Sequence, residues 1–119
     1  MAHVDFAVRM PVEHLQGVAA QAFQANGLTV NWKTGLEGRA ERGSKAANFV
    51  GGALAQYYAV DFKIFPAQAG ATLRVIKGNT GLMGGVWGAM KVNAKFKEVT
   101  NGLQNYFQQT GVLAGMQKG

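Results

Sequence analysis

The sequence predicts an α+β domain in which an antiparallel β-sheet is covered on one face by a long C-terminal helix. The predicted order is β-α-β-β-β-β-α, with about five strands. Two patterns and one bulk property carry this reading. Stretches near the N-terminus and between Tyr58 and Ile76 alternate apolar and polar residues with period two, whereas Val92 to Phe107 repeat apolar residues at helical spacing. The chain has 119 residues, 48% of them apolar, which is enough for one buried core and fits a single domain over residues 1–119.

Val4, Phe6, Val8 and Met10 alternate with Asp5, Ala7 and Arg9, the period of a half-buried strand. Pro11 then suits the first position of a helix, where its missing N–H is not needed. Val12, Leu15, Val18, Ala19, Ala22 and Phe23 line one side of that helix, and Asn26-Gly27 ends it. Leu28, Val30 and Trp32 return to alternation, followed by Leu36, Gly38 and Ala40. A three-residue loop, Lys33-Thr34-Gly35, sets Trp32 opposite Leu36 and Thr29 opposite Arg39, with Gly35 in the left-handed conformation. The next hairpin pairs Val60 with Val75, Phe62 with Leu73 and Asp61 with Arg74 across a turn at Pro66-Ala67-Gln68-Ala69. Between these hairpins, Gly43 to Gln56 reads as strand and loop, with an inserted helical turn as the alternative. In the last helix Val92, Phe96, Val99, Leu103 and Phe107 form an apolar stripe, and Gly111 terminates it. Val112 and Leu113 are expected to fold back, and Met116 to Gly119 to fray.

Composition narrows the chemistry. Cysteine is absent, so disulfides, thiolate nucleophiles and thiolate metal sites are excluded. The sequence from Met1 shows no secretory signal, and no apolar run approaches the roughly 18 residues of a spanning helix. These features make a soluble cytoplasmic protein the expectation. Ser44 is the one serine, without a nucleophile elbow around it, and the six carboxylates offer no catalytic pair. No catalytic residue, metal site or cofactor is expected. His3 and Asp5 share a strand face, as two metal ligands would, but with His14 they still fall short of a closed site. Asp61 and Glu41 read instead as surface partners of Arg74 and Lys63.

The net charge of +6 arises in the second half: residues 1–61 hold five acids and five bases, whereas residues 62–119 hold seven bases against Glu98. Such a face attracts anionic partners or simply keeps the protein soluble. The segment Gly78 to Gly85 runs from strand to helix without the Lys-Ser/Thr of a phosphate loop or the spacing of a dinucleotide fingerprint. Its glycines fall in overlapping pairs, Gly81 with Gly85 and Gly84 with Gly88, around Leu82, Met83, Val86 and Trp87. A helix with small residues at this spacing lets another backbone approach closely. Lys91, Lys95 and Lys97 follow.

Strand, helix, four antiparallel strands and a long helix, in that order, resemble a single repeat of the TATA-binding-protein-like fold and a compact START/Bet v 1-like, or helix-grip, fold. The resemblance spans nearly the whole chain and lies in element order. It carries over no functional residue, and the helix-grip likeness implies a ligand cavity between long helix and sheet.

The expected function is a non-enzymatic interaction domain, binding itself or another protein through Gly81, Gly84, Gly85, Trp87, Gly88, Lys91 and Lys95. One alternative is a carrier or sensor of a small apolar ligand or lipid lined by Phe62, Ile64, Leu73, Phe96 and Phe107. Another is peripheral binding to an anionic membrane surface. Nucleic acid ranks lower, because the polar strand faces lack the interleaved aromatics of a single-strand platform.

Overall fold

A computed structural model gives the fold; it describes residues 3–42, 58–77 and 85–119, the last stretch as backbone alone up to residue 92. The chain forms β1 (His3–Val8), α1 (Val12–Ala25), β2 (Thr29–Trp32), β3 (Glu37–Arg42), β4 (Tyr58–Ala67), β5 (Gly70–Lys77), α2 (Gly85–Gln109) and β6 (Leu113–Lys118). The strands make one antiparallel sheet in the order β2-β3-β4-β5-β1-β6. The α+β class is as the patterns predict. The sheet has six strands rather than five, and the predicted strand and loop at Gly43 to Gln56 lie outside the described residues.

Alternation decides which face each strand buries. Val4, Phe6 and Val8 of β1, Tyr58, Val60, Phe62 and Ile64 of β4, and Ala71, Leu73 and Val75 of β5 all enter the core. Leu15, Ala19, Ala22 and Phe23 of α1 meet them, as do Phe96, Val99, Leu103 and Phe107 of α2. Ring contacts tie the layers: Phe6 to Phe107 at 5.6 Å and Phe23 to Phe62 at 5.1 Å. Fully burying one such ring is worth about 2–3 kcal/mol. Both helices end on a glycine with positive φ, Gly27 at 82° and Gly111 at 75°. The next amide in each case, Leu28 or Val112, donates back to Phe23 or Phe107. Pro11 stands one place outside α1, where its carbonyl accepts from His14 and Leu15.

Both hairpins keep the predicted faces but slip by two residues. Trp32 pairs with Gly38 and Asn31 with Arg39, so the link is longer and Gly35 does not take positive φ. The Glu37 carbonyl receives the amides of Lys33 and Thr34, and the Thr34 hydroxyl receives that of Leu36. The slip has a packing reason. Gly38 lies between Trp32 and Phe62 in the cross-strand row, and without a side chain there the two rings meet edge to face at 5.2 Å.

The second hairpin pairs Phe62 with Val75, Ile64 with Leu73 and Ala67 with Gly70, leaving a two-residue turn at Gln68-Ala69. Gly70, at φ 143°, sits under the backbone of Met10, where a Cβ would come within 2.5 Å of the Met10 carbonyl. The turn must therefore place a glycine beneath the β1–α1 connection. This register sets Lys63 opposite Arg74, a repulsion of a few tenths of a kcal/mol that the apolar face outweighs.

The expected frayed tail is β6. Its backbone pairs with β1 through a bulge at Ala7/Val8, and the His3 and Gly119 amides exchange hydrogen bonds. Val112, Leu113 and Met116 pack against the core, so docking the tail covers an apolar edge that β1 would otherwise present.

Gly38→Ala places a methyl about 2.7 Å from the Asn31 carbonyl and 2.8 Å from the Phe62 ring. It is expected to destabilise the fold by about 1–3 kcal/mol in denaturant unfolding, whereas Gly115→Ala, whose Cβ meets nothing within 4 Å, should shift it far less.

Candidate functional site

The predicted interaction segment is only partly described. Gly81 and Gly84 lie outside the described residues, while Gly85, Trp87, Gly88 and Lys91 stand in the first two turns of α2. Lys95, a turn further on, directs its Nζ to Glu98 Oε2 at 3.3 Å. Ser44 also lies outside the described residues. The five side chains named for an apolar ligand cavity, Phe62, Ile64, Leu73, Phe96 and Phe107, all belong to the packed core cluster.

The sheet face turned away from the two helices is laced with charge. Arg74 donates twice to Asp5, at 2.8 and 3.0 Å, and lies over the Phe65 ring at 5.3 Å. The hydrogen bond to Asp5 is the main reason the Arg74 guanidinium is held even more firmly protonated than usual. Arg39 pairs with Asp61 at 3.1 Å and Lys63 with Glu37 at 3.9 Å. The expected partners, Arg74 for Asp61 and Glu41 for Lys63, are thus replaced: the β4–β5 slip sets Ile76 rather than Arg74 opposite Asp61, and the β3–β4 register sets Arg39 opposite Asp61 and Glu37 opposite Lys63. His3 Nε2 is 4.0 Å from Asp5, and both oxygens of that carboxylate already accept from Arg74. No group of three potential metal ligands occurs among the described residues. A shallow depression of about 390 Å³ lies beside this network, floored by Ala7, Thr72 and Gly115.

The helix-covered side has a different rim. Among the described residues, the large apolar side chains left exposed are Trp32 at 41% and Leu36 at 40%, both at the β2–β3 hairpin. Beside Trp32 runs an open groove of about 510 Å³ formed by Gln16, Gly17 and Ala20 of α1 with Thr34 and Gly35. The Gln16 side-chain amide donates to the Gly35 carbonyl and fixes the hairpin against the helix. Gly17 is mid-helix, and a Cβ there would meet nothing within 4 Å. Glycine in an exposed helix interior costs about 1 kcal/mol relative to alanine, and among the described residues no neighbour requires it. Glu13 and Lys33 are exposed on α1 and the hairpin respectively.

A third feature lies near the C-terminal end of α1, where Arg42 of β3 pairs with Tyr58 of β4 and reaches the Asn26 carbonyl and Glu98 of α2. Tyr58 is 4% exposed, and among the described residues its hydroxyl has no hydrogen-bond partner. Burial is the main cause that raises its pKa above the ordinary tyrosine value; Arg42 opposes the rise and Glu98 adds to it.

Trp32 was legible as a hairpin residue, but its pairing with Leu36 predicted an inward pair, not a rim. Gly17 was the available signal, a glycine on the polar side of an otherwise regular helix. Tyr58 reads in sequence as one more apolar strand position.

In dilute protein, Gly17→Ala should raise stability by about 1 kcal/mol. Tyr58→Phe should leave stability unchanged or raise it, since it deletes an unsatisfied buried hydroxyl. Thermal unfolding checks both, and a loss of several degrees in either would contradict the geometry.

No known protein family, curated protein or solved structure matches the chain, so its own residues carry the functional reading.

Proposed function

We propose that the protein is a non-enzymatic interaction domain that associates with a second copy of itself through the groove between α1 and the β2–β3 hairpin. The observation that carries this reading is Gly17, a destabilising residue that no contact among the described residues requires, opening a groove beside half-exposed Trp32. A two-fold interface uses the same patch on both copies, so that patch must hold both a projection and a hollow. Trp32 and Leu36 supply the projection, and Gly17 and Ala20 the hollow. Exposed Glu13 on α1 and exposed Lys33 on the hairpin add one charge of each sign to the two elements that form the groove, whereas Lys77, Lys95 and Lys97 belong to β5 and α2. Two copies of a chain with net charge +6 can thus approach over nearly neutral ground. A patch this small supports weak association, with Kd on the order of micromolar or above.

The rival occupants are a membrane surface, which an exposed tryptophan beside a lysine also suits, and a small apolar ligand. The core packing of Phe62, Ile64, Leu73, Phe96 and Phe107 gives the ligand reading no support.

Sedimentation equilibrium over a wide concentration range tests the proposal. The mass should rise from 12.6 kDa toward twice that value. Gly17→Leu, whose Cβ meets nothing within 4 Å and whose longer side chain occupies the groove, should weaken association about tenfold or more. A strict monomer, a Gly17→Leu variant that associates like the wild type, or a monomer that binds anionic vesicles through Trp32 would each overturn it.

A further inference from the structure

On the sheet face turned away from the helices, one row of side chains is mostly small. Across β4, β5, β1 and β6 the register sets Phe65, Thr72, Ala7 and Gly115 side by side, near the β4–β5 turn and away from Tyr58 and Lys77. Over this row lies the depression of about 390 Å³, which Asp5 and Gln117 of the next row also line. Such a volume falls within the range of about 300–1,000 Å³ that small-molecule sites occupy. One cation holds two of the lining side chains in place: Arg74 donates to both Asp5 oxygens and lies over the Phe65 ring. Thr72 is 7% exposed, and among the described residues its hydroxyl has no hydrogen-bond partner. A polar side chain this buried, lining a cavity and unpaired by its neighbours, is left for whatever fills that cavity. Gly115 adds room, since a Cβ there would meet nothing within 4 Å. Glycine weakens a strand and can mark the close approach of a ligand.

We propose that this depression binds a sugar, with Asp5, Thr72 and Gln117 as its hydrogen-bonding groups and Phe65 as its apolar side. Charge selects the class of ligand. Asp5 and Arg74 neutralise each other, so the depression offers an unpaired charge neither to a cation nor to an anion. A carboxylate has about four lone-pair sites. Arg74 occupies two of those on Asp5, so acceptor sites remain for hydroxyl donors. The Thr72 hydroxyl and the Gln117 amide each both donate and accept. A sugar ring carries hydroxyls that do the same and a C–H face that suits Phe65, and it brings no charge that would have to be paired. The site shares no residue with the Trp32 groove, so sugar binding and self-association stand or fall separately.

The test is NMR titration of the full chain with glucose, ribose and N-acetylglucosamine, with sorbitol, tetramethylammonium and acetate as controls. Saturable amide shifts at Asp5, Thr72 and Gln117 are expected with at least one of the sugars, at a Kd on the order of millimolar, and with none of the controls. Thr72→Val keeps the shape of the side chain, removes the hydroxyl and should weaken binding about fivefold or more. Gly115→Val, whose Cβ meets nothing within 4 Å and whose side chain takes up room in the depression, should weaken it about tenfold or more. Unfolding curves of both variants separate a binding loss from a folding loss. No saturable shift with any of the three sugars, equal shifts with sorbitol or a charged probe, or wild-type binding in both variants would overturn the proposal.

Discussion

One sheet face must be buried under two helices, and the rest of the structure follows from meeting that constraint. Phe6, Phe23, Phe62 and Phe107 are fully buried between sheet and helices. At about 2–3 kcal/mol per ring, any register that turned one of them outward would lose more than the ion pairs of the outer face could return, since exposed pairs contribute about 0–1 kcal/mol each. The charges accordingly take whatever neighbours the apolar face assigns. Lys63 faces Arg74 across β4 and β5, and each finds its counter-charge on the opposite side, in Glu37 and Asp5.

The same constraint explains where the covered side stays open. The apolar rows run out at β2, a four-residue edge strand whose Trp32 reaches over Gly38 to rest on Phe62. Phe62 in turn touches Phe23 of α1, so a chain of rings leads from the interior to the rim. Trp32 is thereby held rigidly while remaining half exposed, which is how an aromatic anchor serves recognition at low entropic penalty. Gly17 on the neighbouring helix turns that rim into a groove. At the first residue of β4, Tyr58 follows the strand's buried parity and so carries its hydroxyl inward, with no hydrogen-bond partner among the described residues.

Sequence patterns were most informative where period and burial coincide. The stripes of both helices, their glycine ends and the inward faces of β1, β4 and β5 were all legible, because a wrong face would expose several large residues together. A slip of two residues leaves every face unchanged, so alternation alone could not locate either hairpin turn. That choice came from close approaches invisible in one dimension: Trp32 to Phe62 over Gly38, and Met10 over Gly70. β6 escaped notice because the bulge and Gly115 break the alternation of Leu113 and Met116. The glycine-rich segment drew attention by composition, whereas Gly17 and Tyr58 matter through their surroundings.

Hydrogen exchange at low and high protein concentration bears most directly on the central claim that the chain meets a second copy at the Trp32 groove. Amides of the β2–β3 hairpin and of α1 around Gly17 should exchange more slowly at high concentration, while those of β6 and of the central strands β4 and β5 stay the same. Exchange independent of concentration, or new protection confined to β6, would contradict the account.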